Sequence, residues 1–380
     1  MSFQKMRAIT SGLTPLSQLS STREVIRQFT PNWFAMTMGT GVLALALAQF
    51  PGPLVQIGYY IWLLNIVLFV TFSVLYAARW VMFFDQASQV FGHSVVSMFF
   101  GCIPMGLATI INGFLVFGLP HMGGIAVEIA TTLWWIDVAM SVICGIAIPY
   151  LMFTRQTHSI DQMTAVWLLP MVAAEVAAAS GGLLAPHMAD PHAQLVVLIT
   201  SYVLWALSVP IALSVIVVLV LRLAIHKLPH ISMASTSWLA LGPIGTGALG
   251  LMTLGQDAPA IFSINDLGQL GAVASGLGVI GGLLLWGYGL WWFSIATLVT
   301  LRYSREGLPF NLGWWGYTFP LGVYSLATLK LGTLLPLDMI TLFGTGLVVV
   351  LIIVWMIVAA RTVCGAWRGN LFVAPCLVRT

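Results

Sequence analysis

Three ionisable side chains, Glu175, Asp137 and Lys330, stand in long apolar stretches and are the first residues of this sequence that could do chemistry. A charge in an apolar environment is costly, so such a residue has either a buried partner or a function. A carboxyl group could carry a proton, and an ammonium group could attract an anion. No catalytic constellation accompanies them, because the apolar stretches contain neither a His-Glu-x-x-His motif nor a central histidine.

Two further patterns match known sites only by their letters. Residues 245–250 read Gly-Thr-Gly-Ala-Leu-Gly, as in a dinucleotide fingerprint, but they follow Pro243 in an apolar segment rather than a β-strand. His187 and His192 flank Asp190 in a short polar segment, which is more simply a solvated loop than a metal site. The four cysteines show no paired spacing. We therefore expect no metal, no cofactor and no enzymatic activity.

The composition indicates what surrounds these residues. Hydrophobic residues make up 59% of the 380 residues and charged residues only 7%, with a mean hydropathy of +1.00. A soluble domain carries about 25% charged residues, so lipid must cover most of the exterior. The sequence therefore predicts an all-α integral membrane protein. The net charge of the chain is only +3, which is too small to predict a basic surface that binds nucleic acid.

Apolar segments of about 20 residues, the length that crosses a bilayer, predict ten transmembrane helices. Residues 1–30 and 362–380 would be the two tails of one membrane domain, residues 31–361. The predicted spans are 31–50, 57–79, 94–118, 126–153, 163–185, 193–222, 238–256, 268–300, 311–333 and 339–361.

Basic residues are distributed unevenly between the two ends of these spans. Thirteen of the fourteen, including Lys5, Arg7 and Arg379, fall on the side of the two tails, and only Lys330 falls elsewhere. Because segments rich in Lys and Arg stay in the cytoplasm, this asymmetry predicts a multi-pass protein of the plasma (inner) membrane with both termini cytoplasmic.

Prolines flanked by glycines recur at spacings of 66 to 77 residues, at Pro104, Pro170, Pro243 and Pro320, and Pro31 begins the series. The repeat unit is a hairpin of two helices, of which the first carries the proline. Proline within a helix removes a hydrogen bond and kinks the helix, and such breaks are tolerated where they line a watery cavity. Five helical hairpins therefore predict a quasi-fivefold ring around a central pore, with the kinked helices inside.

Small and hydroxyl-bearing residues stand beside these breaks. Hydroxyls and free backbone N–H groups can replace part of an anion's hydration shell without binding it tightly. The predicted pore-lining or kink residues are Gly39, Thr40, Gly41, Pro104, Gly106, Pro170, Pro243, Gly245, Thr318, Pro320 and Gly322, with the hydroxyls of Thr37, Ser97, Thr109, Ser180 and Thr246 beside them.

Segments around these breaks resemble the tellurite-resistance/dicarboxylate transporter family. They include Phe29-Thr-Pro-Asn-Trp-Phe-Ala-Met-Thr-Met-Gly-Thr-Gly41, Phe100-Gly-Cys-Ile-Pro-Met-Gly-Leu-Ala-Thr-Ile-Ile-Asn112, Ala179-Ser-Gly-Gly182, Leu241-Gly-Pro-Ile-Gly-Thr-Gly247 and Trp314-Trp-Gly-Tyr-Thr-Phe-Pro-Leu-Gly322. The family includes bacterial TehA, the fungal malic-acid permease, the fungal sulfite efflux pump and plant slow anion channels. The first and third segments are closer to the malic-acid and sulfite branch.

The resemblance implies five hairpins in a ring, one pore per subunit and a homotrimer. It also implies that Phe319 plugs the pore, because the family has a phenylalanine at this place in the ninth helix. On sequence alone, Phe319 could also be an ordinary packing residue beside Pro320. The family often has proline after the histidine that opens the third helix, whereas Ser94 follows His93 here, which leaves the role of His93 open.

The ionisable residues keep alternative roles within this arrangement. Glu175, on the fifth helix, is protonated by burial, faces away from the pore, or carries the proton of a coupled transporter. Asp137, on the outer fourth helix, is interpreted as structural and needs a partner. Lys330 either concentrates anions at the outer mouth or extends to the membrane interface.

The sequence therefore predicts a transporter or channel for small anions, with the anion and the lipid bilayer as its partners and Phe319 as the gate. C4-dicarboxylates such as malate or sulfite-type oxyanions are the predicted cargo, and an inorganic monovalent anion such as chloride or nitrate is the alternative. A membrane-embedded enzyme would need a convergent polar cluster, which the spans lack. A sensor or scaffold would need a sizeable soluble domain.

Overall fold

A computed structural model describes residues 15–377, which are all-helical and contain no β-strand. Residues 1–14 of the predicted amino-terminal tail, with Lys5 and Arg7, lie outside the described residues, and so does Arg379.

Long helices alternate with shorter ones along the chain. The shorter, odd-numbered helices are α1 (Ala35–Leu47), α3 (Cys102–Gly113), α5 (Leu169–Leu184), α7 (Leu241–Ile264) and α9 (Thr318–Leu334). The longer, even-numbered helices are α2 (Pro53–Met82), α4 (Gly124–Thr154), α6 (Pro191–His226), α8 (Gly268–Ser304) and α10 (Asp338–Arg368).

A 3₁₀ segment precedes each odd-numbered helix. These segments are Pro31–Phe34, Val96–Gly101, Ala165–Leu168, Ile231–Trp238 and Leu312–Tyr317. Pro104, Pro170, Pro243 and Pro320 all lie in the first turn of the α-helix that follows. Proline costs little there, because the first amide groups of an α-helix have no partner within it. The prolines therefore mark a change from 3₁₀ to α geometry rather than a kink inside a continuous α-helix.

The odd-numbered helices form the interior and the even-numbered helices cover it. In the most apolar window of each even-numbered helix, only 22% to 33% of the residues are buried. The share is 78% to 94% for Val96–Met122, Ala165–His187 and Ile231–Ile264, and every residue of α1 is buried. The exposed side chains of the outer helices include Ile143 and Leu284, as expected where lipid is the solvent.

Eight helices are long and apolar enough to cross a membrane. They correspond to the second to eighth and the tenth predicted spans, and each ends beyond its predicted carboxy-terminal bound, by one to eight residues. The segments that contain α1 and α9 are not among the eight. The first has 3₁₀ and α parts of 4 and 13 residues, which is short for a bilayer crossing, and the second is rich in glycine and threonine. The count of ten spans stays a prediction.

Neighbouring odd-numbered helices contact one another in a closed cycle. In this cycle α1 contacts α3, α3 contacts α5, α5 contacts α7, α7 contacts α9, and α9 contacts α1. Each of them also packs against the even-numbered helix that follows it in the chain. The hairpins therefore lie side by side with their first helices adjoining.

Glycines permit the close approach of these neighbours. A Cβ atom at Gly101 would lie 2.6 Å from the carbonyl carbon of Leu169 at the contact with α5, and closer still to the carbonyl oxygen. A Cβ atom at Gly245 would lie 2.9 Å from the backbone nitrogen of Tyr324 at the contact of α7 with α9. Both neighbours are backbone atoms, which cannot move aside as a flexible side chain can.

We predict that Gly101→Ala destabilises the protein by about 1–3 kcal/mol, the usual cost of overpacking. Gly276→Ala, on the lipid-facing side of α8, is the matched control because a Cβ atom there meets no atom within 4 Å. The measurement is the thermal unfolding midpoint of both purified variants in detergent. Equal midpoints for Gly101→Ala and wild type would show that the two helices can separate without cost.

Candidate functional site

A small cavity lies where the five odd-numbered helices meet. Each helix contributes a wall residue, namely Met38, Met105, Val172, Pro243 and Phe319. The volume of this central cavity is about 40 Å³, which is room for about two or three water molecules. One small space is therefore common to all five hairpins.

The wall of the central cavity is almost entirely apolar. Cys102, Thr236 and Trp315 are the lining residues with a thiol, hydroxyl or N–H group. The Thr236 hydroxyl donates a hydrogen bond to the backbone oxygen of Met233 at 2.7 Å, and the Trp315 indole N–H donates to the Thr362 hydroxyl at 3.1 Å. Apolar cavities of this size stay dry. An anion entering it would lose its hydration shell without compensation from the wall.

Phe319 is the second residue of α9, and only 4% of its surface is exposed. The preceding residue, Thr318, donates from its hydroxyl to the backbone oxygen of Trp315 at 2.8 Å. Pro320 follows Phe319 and also lines the cavity, as does Trp315. A hydrogen bond therefore fixes Thr318 just before Phe319, and Pro320 lies in the cavity wall just after it.

The other predicted pore residues lie at contacts between helices. The predicted glycines face neighbouring helices, with Gly39 against Thr318, Gly41 against Thr109, Gly106 against Thr37, Gly245 against Tyr324 and Gly322 against Val42. Thr40 accepts a hydrogen bond from the indole N–H of Trp355 in α10 at 3.2 Å. Pro104 and Pro170 are also absent from the described cavity wall. Phe319, Pro243 and Pro320 line the cavity, whereas the other predicted residues are absent from its wall.

A larger cavity of about 340 Å³ adjoins the central one, with which it shares Phe99, Val166, Thr236, Leu312 and Gly313. We term it the vestibule. The start of each odd-numbered segment contributes to its wall, through Asn32, Val96, Val166, Ser232 and Asn311 among others. We term this side of the protein the tail face, because both ends of the described chain lie there.

The last described residues cross the tail face. The backbone N–H of Ala374 donates to the side-chain oxygen of Gln28 at 2.8 Å. The ring of Phe372 stacks on that of Trp33, with centroids 4.9 Å apart. Side chains from residues 370–375 complete the vestibule wall. The carboxy-terminal segment therefore covers part of the vestibule.

Sequence comparisons identify the family of this chain. The family described as voltage-dependent anion channel matches residues 28–363. The chain belongs to this family, the same one that its proline segments resemble. A sulfite efflux pump of Arthroderma benhamiae is 37% identical over 357 residues, which cover 91% of this chain and 93% of that protein.

Two more distant members of the family extend the comparison. An uncharacterised transporter of Methanocaldococcus jannaschii is 28% identical over 94% of this chain and 99% of that protein. The malic acid transport protein of Schizosaccharomyces pombe is 25% identical over 90% of this chain and 78% of that protein. Members of this transporter and channel family move small anions across membranes, and this chain is a multi-pass membrane protein.

Glu175 lies away from the central cavity of this family member. It is fully buried, and the Ser208 hydroxyl of α6 lies 3.2 Å from its Oε2 atom. The same hydroxyl donates to the backbone oxygen of Met171 at 2.7 Å. Glu175 is absent from the cavity wall. Of the three roles left open by the sequence, this geometry favours the one in which Glu175 faces away from the axis.

Asp137 and Lys330 also lie apart from the cavity. Asp137 is fully buried, and neither carboxylate oxygen has a hydrogen-bond partner among residues 15–377, so the expected partner is absent there. Lys330 is half-buried, toward the end of α9 that points away from the tail face. Its ammonium group donates to the side chain of Gln256 and lies near Asp257.

His93 is a helix cap on the tail face. Its Nδ1 atom accepts hydrogen bonds from the backbone N–H groups of Val95 and Val96, at 3.1 and 3.2 Å. Asn311 caps the segment before α9 in the same way, accepting from Gly313 at 2.8 Å. The position of His93 just before an apolar helical segment was the signal for this role, although histidine is not a usual capping residue.

Sequence reasoning missed most of the cavity wall. Met38, Met105, Val172, Phe99 and Leu239 are ordinary apolar residues in an apolar sequence. The one available signal was their distance from the prolines, because Met105 directly follows one proline and Val172 stands two residues after the next.

We predict a pH-dependent contribution of His93 to stability. Only a neutral ring can accept at Nδ1, and burial lowers the pKa of His93. The stabilisation is therefore complete above the ordinary pKa of about 6.5 and is lost as the pH falls through the lower folded-state value. His93→Ala should lose about 1 kcal/mol at pH 7.5, and His93→Asn should retain the cap without the pH dependence.

Unfolding midpoints in detergent between pH 7.5 and 5 test this, with the exposed His192→Asn as the control. A pH profile of His93→Asn that matches wild type would show that His93 does not contribute through its protonation state.

Proposed function

We propose that the protein is a pore for small anions in which the odd-numbered helices form a quasi-fivefold ring and Phe319 is the gate. The observation that carries this proposal is the position of Phe319 in a small apolar cavity to which all five helices contribute. The closed cycle of contacts among these helices supports the ring. The segments containing α1 and α9 complete the ten membrane crossings.

The vestibule favours anions over cations. Five odd-numbered helices direct their amino-terminal ends toward it, and these ends carry partial positive charge and free N–H groups. Asn32, Ser232, Ser235 and Asn311 add neutral polar groups, and no acidic side chain lines the vestibule among the described residues. An anion would be attracted there and held weakly, as conduction requires.

Sulfite-type oxyanions are the favoured cargo within this proposal. The sulfite efflux pump of A. benhamiae is 37% identical to this chain, whereas the malic acid transport protein is 25% identical. A C4-dicarboxylate such as malate is the second candidate. The neutral polar vestibule is also compatible with chloride or nitrate, which remain the alternative.

The tail face is cytoplasmic in this proposal, and the membrane is the plasma (inner) membrane. Arg79, Arg155, Arg222, Arg302 and Arg368 all stand at the ends of even-numbered helices on the tail face. Positively charged segments are retained in the cytoplasm. The resemblance to the family supports a homotrimer with one pore in each subunit.

A flux assay tests the function. Purified protein in liposomes should transport sulfite faster than malate, nitrate or chloride, and empty liposomes should transport none of them. The assay is run with and without a pH gradient, for wild type and for Glu175→Gln. Because Glu175 faces α6, both should respond equally to the gradient. No flux of any of these anions would reject the transport proposal, and a gradient response lost in Glu175→Gln would assign Glu175 to proton coupling.

We predict that Phe319→Ala gives a several-fold larger and less selective anion flux. Removing the ring enlarges the central cavity, so water can enter it and a conductive path opens. Phe319→Leu should lie between Phe319→Ala and wild type because it restores part of the volume. The measurement is anion flux in the same liposomes.

Phe117→Ala is the matched control, because Phe117 is also 4% exposed but lies in a separate apolar cluster with Trp62. Its loss should lower stability by about 3–5 kcal/mol without a leak. A folded Phe319→Ala protein that conducts no faster than wild type would remove Phe319 as the gate.

A further inference from the structure

The 3₁₀ segment Leu312–Tyr317 separates two different spaces. Trp315 lines the central cavity, whereas the adjacent Trp314 lines a cleft of about 340 Å³ between α8 and α10. A single 3₁₀ segment therefore separates the central cavity, where Phe319 lies, from this cleft.

The cleft is apolar and opens toward the surrounding lipid. Phe293 and Leu301 of α8, Val354 and Ile357 of α10, and Leu321 of α9 contribute to its walls. At its edges, 54% of the surface of Leu301 and 46% of that of Ile357 are exposed. An open apolar cleft at membrane depth is filled by lipid or by another protein, because no water is present there to fill it.

A cation stands at the tail-face end of the cleft. The Arg361 guanidinium, one turn beyond Ile357 on α10, lies 5.1 Å from the ring centroid of Trp314 and 5.9 Å from that of Phe310. Among residues 15–377 it forms no ion pair with a carboxylate. The two aromatic rings orient the guanidinium, which leaves its N–H groups free for an anion.

A buried hydroxyl provides a second, independent sign of a ligand. Tyr317 lines the cleft and is 7% exposed, and its hydroxyl has no hydrogen-bond partner among residues 15–377. The Thr300 hydroxyl lies near the Tyr317 hydroxyl, but it makes no hydrogen bond of good geometry with it; it accepts from Trp238 and donates to the backbone oxygen of Ala296. A buried donor without a partner is costly, so the site lacks an acceptor.

We propose that this cleft binds an anionic phospholipid from the leaflet on the tail face. One acyl chain fills the cleft, the phosphate group binds Arg361, and an ester oxygen is an acceptor for Tyr317. Basic pockets between transmembrane helices recognise anionic headgroups in this way. The arginine favours a lipid over a second copy of the chain, because a phosphate group can pair with the exposed guanidinium, whereas an apolar protein surface offers it no anion.

The bound lipid would support the start of α9. The cleft contacts Trp314, Tyr317 and Leu321, which flank Phe319 on the side away from the central cavity. Lipid binding itself does not depend on the nature of the cargo or on the identity of the gate.

The test is a titration of detergent-solubilised protein with dioleoyl phosphatidylglycerol or dioleoyl phosphatidylcholine, followed by native mass spectrometry. Wild type should retain one phosphatidylglycerol per chain in preference to phosphatidylcholine. Arg361→Gln should lower the affinity for phosphatidylglycerol about fivefold and leave that for phosphatidylcholine unchanged. Arg302→Gln is the control, because Arg302 is exposed on the same face and pairs with Glu306 at 3.9 Å.

Val354→Trp should fill the cleft and reduce the retention of both lipids. Arg361→Lys, which keeps the charge, should preserve part of the preference. Unchanged binding of phosphatidylglycerol by folded Arg361→Gln or Val354→Trp protein would overturn the proposal. So would an oxidative cross-link between two copies carrying Val354→Cys, because it would show that a second subunit covers the cleft.

Discussion

At the contact between α3 and α5, Gly101 lies directly against the carbonyl group of Leu169, and no side chain separates the two backbones. A Cβ atom at Gly245 would likewise meet the backbone of Tyr324 where α7 adjoins α9, whereas the glycines between α1 and α3 and between α9 and α1 lie against threonine and valine side chains. Lipid tails are as apolar as leucine, so membrane helices associate through such close packing rather than through the hydrophobic effect. Because the five inner helices approach this closely, the space between them shrinks to about 40 Å³, and the ring of Phe319 forms part of its wall.

The alternation of buried and lipid-facing helices could be predicted from the sequence, because the same geometry recurs in each hairpin and demands proline and glycine at the same place. The direction of individual side chains could not. Gly39, Gly106 and Thr318 were predicted beside the pore, yet they fill contacts between neighbouring helices. A glycine that admits a neighbouring helix and a glycine that widens a pore look alike in a sequence. The role of Glu175 stayed open for the same reason, since a helix with no polar face gives no sign of which side points inward.

The residues that line the central cavity were hidden for a different reason. In a soluble protein a functional cavity is often marked by polar residues in an apolar surrounding. Here the candidate gate is apolar and so is almost everything around it, so Met38 and Val172 have no contrast with their neighbours. Phe319 was recognised only through the family resemblance, while its burial and its place in the wall follow from the structure. The length of α1 was also unpredictable, because a helix shielded by others needs no lipid-facing surface of full bilayer thickness.

The carboxy-terminal segment implies an order of assembly. Residues 370–377 follow α10 in the chain, so they leave the ribosome after α1 to α10 have been synthesised. Their docking sites, Gln28 and Trp33, belong to the beginning of the chain. The segment can dock only when the first and last hairpins have come together, which is the step that closes the cycle of helices. A nascent protein therefore has an uncovered vestibule until its packing is complete, and the docked segment distinguishes a finished molecule from an unfinished one.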